Sequence, residues 1–150
     1  DLVAATHGRG IYKINLNPVH ELIKGSVSEK PYLFKVAKGR APWYNDTHND
    51  VNKRSVRKTT FSFWLPNQDI VKISILKASK TIYSKEIQGK YGLNEFRWDL
   101  VTKENASDLP YFIHFKEYLA PGEYKVVLRV KGQELVQPWT VEQGTIPNNW

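Results

Sequence analysis

Glycoside cleavage uses a pair of carboxylates flanking the scissile bond, and Glu86, Glu95, Asp99, Glu117 and Glu123 are the residues here that could supply one. The pattern around them argues against it. Glu95 and Asp99 alternate with Phe96 and Trp98, which puts both carboxylates on the water face of one strand, where charged residues belong. His7, His20, His48 and His114 have no serine or cysteine beside them in a recognisable nucleophile motif. No catalytic residue is assigned, and this chain alone is not expected to be an enzyme. Asp46, His48 and Asp50 alternate in a way that could present oxygen and nitrogen ligands to one cation. The run lacks the glycine and distal glutamate of a calcium loop and has too few ligands for a closed zinc site. It reads as a solvated turn, and neither metal nor cofactor is expected.

Binding chemistry is better represented. Trp43 and Tyr44 sit together in an unpatterned loop, and Trp139 and Trp150 lie near the end. Flat aromatic faces stack on the apolar faces of pyranose rings, so Trp43, Tyr44 and Trp139 are the candidate binding residues. The competing reading is structural: Trp64 and Trp98 fill a core, Trp139 sits at a sandwich edge, and Trp43 packs its loop onto the body. Eight basic residues against two acidic ones fall between Lys30 and Lys58, so that stretch carries +6 of the net +7. With Trp43 and Tyr44 nearby it could hold phosphates. No nucleic-acid motif accompanies the charge, so a basic solvated loop is the expected reading and nucleic acid is not an expected partner.

The elements that must position these residues are strands. At 150 residues, with 41% hydrophobic and 25% charged, the chain has the composition of about one folded domain. The 13% of aromatics favours strands. No run approaches the roughly 20 apolar residues of a membrane helix. Cysteine is absent, which fits either redox compartment. The chain starts at Asp1 and contains no methionine, and so reads as a processed product or a piece of something longer.

Leu2 to Thr6 and Ile11 to Ile14 form a hairpin through two glycines. Val19 to Ile23 is a helical turn, and Tyr32 to Val36 a strand. Ala41 to Lys58 is a polar loop. Strands follow at Thr59 to Leu65, Val71 to Lys77, Thr81 to Ile87 and Leu93 to Leu100. Thr102 to Leu109 is a polar connection, and Tyr111 to Tyr118 a further strand. Pro121-Gly122 then turns the chain into a strand in which Tyr124, Val126, Leu128 and Val130 share one face. Lys131-Gly132 makes a tight turn before a last strand, Gln133 to Val141. Six or seven strands with turn signals every eight to twelve residues fit an immunoglobulin-like or fibronectin-like β-sandwich, without a disulfide.

Two stretches carry a resemblance. Thr6-His7-Gly8-Arg9-Gly10-Ile11-Tyr12, followed by Asn17-Pro18-Val19-His20-Glu21-Leu22, resembles the closing strand of sortilin-like, BNR-repeat β-propellers, which in bacteria often carry the label of glycosyl hydrolase. Gly92-Leu93-Asn94 with Phe96 and Trp98-Asp99, then Ala120-Pro121-Gly122-Glu123-Tyr124 and Gln137-Pro138-Trp139-Thr140-Val141, resemble the Ig-like domain after such propellers and that of flagellar hook-capping proteins. The resemblance implies four parts: the end of a propeller blade (1–23), a basic linker (24–58), an Ig-like sandwich (59–142) and a tail (143–150). Asn45 to Lys58 departs from the family in being longer, polar and basic, so no role is inherited for it.

The implied function is accessory. The module would brace or space an upstream propeller of the same polypeptide and offer a surface to a glycan or protein, in a secreted, periplasmic or cell-surface setting. The alternatives are a carbohydrate-binding module, or a fragment of a glycoside hydrolase whose active site lies in the missing propeller. The first fifteen residues should then pair at an edge of the sandwich or contact a neighbouring chain. A self-contained third sheet would defeat the propeller reading.

Overall fold

Period-two alternation is realised in β5 (Thr59–Leu65), where Thr59, Phe61, Phe63 and Leu65 are buried and Thr60, Ser62 and Trp64 take the opposite face. The computed structural model describes residues 2–6, 10–14, 29–42, 58–104 and 116–144, the first two stretches as backbone. β8 (Gly92–Trp98) runs antiparallel to β5, with Trp64 opposite Leu93 and Phe61 opposite Phe96. β3 (Tyr32–Leu33) lies on the other side of β5, with Tyr32 opposite Trp64, completing a three-stranded sheet.

The second sheet has five strands, in the order β4 (Gly39–Ala41), β12 (Gln133–Gln143), β11 (Gly122–Val130), β6 (Asp69–Lys77) and β7 (Lys80–Gly89). Its pairs are antiparallel except β4 with β12, which is parallel. Edge strand β7 carries Lys85 on the row that faces the core, opposite Ile73, a charge placement that discourages further strands from adding there.

The core lies between the two sheets. Phe61, Phe63 and Leu65 meet Val71, Ile73, Ile75, Val126 and Leu128, all essentially closed to water. Each such side chain contributes about 1.5–3 kcal/mol relative to exposure. Aromatic rings bridge the layers: Trp139 stands edge-on to Phe61 at 5.2 Å, and Tyr83 stacks on Trp98 at 4.3 Å. The protein is therefore an all-β sandwich, as its alternation indicates. No helix among the described residues is long and apolar enough to cross a membrane.

Turn chemistry follows the sequence closely. Lys131 (φ 46°) and Gly132 (φ 75°) both take the left-handed conformation, the geometry that matches a two-residue turn to strand twist. After the Pro121-Gly122 turn, the Tyr124 hydroxyl donates to the Ala120 carbonyl at 2.7 Å. It is the type of corner found in immunoglobulin-like sandwiches.

Several expectations need correction. Trp139 is neither a binding platform nor an edge residue. It is 2% exposed at the centre of the aromatic bridge, and its indole N–H donates to the Ala37 carbonyl at 3.0 Å. Trp64, expected in the core, lies on the outward face because Phe61, Phe63 and Leu65 fix the parity of β5. Residues 31–42 are not linker. They cross from one sheet to the other as β3 and β4 and bury Leu33, Phe34, Val36 and Ala41. Side chains of β12 hold this strap, with Gln137 donating to Leu33 O, Trp139 to Ala37 O and Gln143 to Pro42 O. The sandwich thus begins well before residue 59.

The polar run after Leu100 also forms a strand, β9 (Val101–Glu104), paired with β10 (Lys116–Tyr118) in a two-stranded ribbon. Near the N-terminus, β1 (Leu2–Thr6) pairs with β2 (Gly10–Ile14) and with no other described strand. The expected pairing with an edge of the sandwich is not found. Trp43, Tyr44, Asp46, His48 and Asp50 lie outside the described residues, as do Trp150, the helical turn expected near Val19 and most of the strand expected before Tyr118.

Candidate ligand-binding face

Parity and register place an aromatic row on the outward face of the three-stranded sheet. Tyr32, Trp64 and Leu93 are successive cross-strand partners at one end of β3, β5 and β8, so their side chains share that face. Leu93 is 45% exposed and Tyr91, just before β8, is 69% exposed. The Tyr91 ring meets Trp64 edge-on, with centroids 5.7 Å apart and planes at 66°. The Trp64 indole N–H is shut off from water and has no hydrogen-bond partner among the described residues. Toward the middle of the sheet the next rows are polar: Ser62 opposite Glu95, then Thr60 opposite Arg97. Arg97 donates to Glu95 at 3.1 Å.

The turn that presents Tyr91 is held by one side chain. Asn94 Oδ1 accepts from Lys90 N at 2.8 Å, and Asn94 Nδ2 donates to Lys90 O at 2.8 Å and to Gly92 O at 2.9 Å. Gly92, at φ 96°, supplies the left-handed residue that closes the turn. An exposed aromatic on a clamped turn loses little freedom when something packs on it, which is how preorganisation raises affinity. Tyr91 is not among the residues singled out from the sequence, and Trp64 is expected there in the core. The parity of β5 and the Asn94 two positions after Gly92 were the available signals.

A cleft of about 190 Å³ opens at the same end, between the β5–β6 and β11–β12 turns. Pro31, Leu65, Pro66 and Val130 supply its apolar lining. Glu29, Asn67, Asp69, Lys131 and Gln133 complete the lining. Asp69 Oδ1 accepts from Ile70 N at 2.8 Å. Asp69 Oδ2 is closed to water and lies 3.3 Å from Lys131 Nζ, an ion pair without the alignment of a hydrogen bond.

The carboxylates considered for glycoside cleavage are not brought together. Glu95 pairs with Arg97, Asp99 Oδ1 accepts from Val101 N at 3.3 Å, Glu117 faces Lys103 at 3.5 Å, and Glu123 accepts from the Thr140 hydroxyl at 2.9 Å. Glu86 stands opposite Lys72 in the β6–β7 register. Among the described residues no group of three His, Cys, Asp or Glu side chains is arranged to hold a metal ion. Of the sequence-stated binding residues, Trp139 belongs to the core, and Trp43 and Tyr44 fall outside the described part. Compared with known proteins, the chain matches no family model, no curated protein and no solved structure.

Proposed function

We propose that the chain is a non-catalytic accessory module, an Ig-like sandwich that braces or spaces a larger propeller-containing protein outside the cytoplasm. Its recognition surface is the aromatic row of the three-stranded sheet. The observation that carries this reading is Tyr91, two-thirds exposed, clamped by Asn94 and set against Trp64. With Leu93 beside it and the Ser62 and Glu95 row next along, this surface suits a pyranose ring: an apolar face for its C–H groups and polar side chains for its hydroxyls.

The β1–β2 ribbon does not support the propeller part. Among the described residues it is a sheet apart from the sandwich, the arrangement stated above to tell against a propeller origin, so the propeller part of the proposal rests on the sequence resemblance alone. Two strands of five residues are too few to be stable alone in water. The test of the recognition surface is an immobilised-glycan array probed with the chain and with Tyr91→Ala. Binding that disappears in the variant is expected. Glycan binding that survives Tyr91→Ala, or an array with no response alongside capture of a protein partner through this face, rejects the carbohydrate reading.

A further inference from the structure

We propose that the cleft between the β5–β6 and β11–β12 turns binds a positively charged nitrogen group, a guanidinium or a primary ammonium, through Asp69 and Glu29. The cleft stands out in a chain of net charge +7, because two carboxylates line it against one ammonium. Asp69 uses one oxygen for the Ile70 N–H, while Oδ2 is desolvated and has no aligned donor among the described residues. A buried acceptor in that state gains from any donor that reaches it, and most from a charged one.

The group now nearest is Lys131, and it is a weak occupant. Its side chain is 67% exposed against 22% for Asp69, and the contact lacks the alignment of a hydrogen bond, so most of the ammonium stays in water. Lys131, on the left-handed turn with Gly132, is part of the cleft lining, so an incoming cation competes with its ammonium for Asp69. Pro31 and Pro66 offer apolar walls for an alkyl stem or for the flat face of a guanidinium. The volume suits a group the size of a side chain, below the roughly 300–1,000 Å³ of sites for larger ligands. Anions meet the two carboxylates, and neutral hydroxyl compounds forgo the charge attraction.

The test is titration of the ¹⁵N-labelled full chain, following the amides of Asp69, Ile70, Lys131 and Gln133. N-acetyl-arginine methylamide and N-acetyl-lysine methylamide represent a side chain borne by a polypeptide. Methylguanidinium and spermidine represent a free small cation. Glucose and acetate are the neutral and anionic controls. Saturable shifts at the cleft with the cations alone are expected, and the tighter of the two cation sets identifies the source.

Asp69→Asn should weaken binding about tenfold or more. Lys131→Gln should tighten it roughly two- to fivefold by removing the competitor. An equal response to glucose or acetate, shifts confined to other residues, or weaker binding in Lys131→Gln overturns the proposal. So does unchanged binding in Asp69→Asn. If Asp69→Asn perturbs the fold, the direction of the Lys131→Gln effect decides alone. Shifts at the cleft amides are separate from those at Tyr91 and Leu93, so this result stands or falls apart from the glycan reading.

Discussion

Replacing Trp139 by phenylalanine tests whether the strap of residues 31–42 is part of the folded core. The indole N–H donates to Ala37 O in a part-buried hydrogen bond, and the ring contacts Phe61, Trp98 and Tyr124. Phenylalanine keeps an aromatic but loses the donor, at a cost of about 1 kcal/mol. The lost part of the ring leaves unfilled space worth about another 1–2 kcal/mol. A loss of about 2–3 kcal/mol follows, or roughly 4–12 °C in Tm at about 2–4 °C per kcal/mol for a domain of this size.

Urea unfolding followed by far-UV circular dichroism measures it, with an unchanged m-value showing that the same surface is exposed. Gly39→Ala should act in the same direction from the other side, because a Cβ there would come within 2.6 Å of Trp139 Cζ2. A Trp139→Phe variant within about 0.5 kcal/mol of the parent, the size of an ordinary surface change, would refute the core placement. It would return residues 31–42 to the status of linker.

Other expectations concern the corner, a strained turn and the clamp. Burial holds the Tyr83 and Tyr124 hydroxyls above their ordinary value, with the nearby Asp99 charge adding to the shift at Tyr83. The unfolded chain therefore ionises first, so this stabilisation is complete below about pH 10 and falls as pH rises through the unfolded value toward the folded one. Tyr124→Phe should cost about 1 kcal/mol at neutral pH and flatten that alkaline decline in urea titrations. Ala78 sits at φ 52° in the β6–β7 turn, so Ala78→Gly should raise stability by roughly 0.5–1 kcal/mol, read as a higher denaturation midpoint. Asn94→Ala removes three hydrogen bonds of the Tyr91 turn. It should cost about 1–2 kcal/mol, with faster amide exchange confined to residues near Lys90.

The inward rows were legible because a half-buried strand writes its period into the chain. Val71, Ile73 and Ile75, and Tyr124, Val126, Leu128 and Val130, are buried as their alternation requires. The Lys131-Gly132 turn was legible for the same local reason. β4 was not: three residues whose partner lies about a hundred positions away leave no local signal. β9 reads as a polar connection because Thr102, Lys103 and Glu104 give it no apolar alternation. Trp64 was misplaced when its size was weighed above the parity of β5. Trp139 was misplaced because the covering strap was itself unrecognised. The candidate face depends on register between three strands, which spacing alone does not show; only the parity of β5 and the Asn94 two positions after Gly92 hint at it locally.

The most direct measurement is the ¹⁵N–¹H spectrum of the Trp64 indole Nε1–H during titration with the oligosaccharide that responds best on the array. This donor is unpartnered among the described residues and stands beside Tyr91. A saturable shift of that resonance is expected, together with the Tyr91 and Leu93 amides, and with affinity reduced about 10- to 30-fold in Tyr91→Ala. Oligosaccharide binding that leaves the Trp64 indole unmoved, or that Tyr91→Ala leaves unchanged, would contradict the assignment of this face.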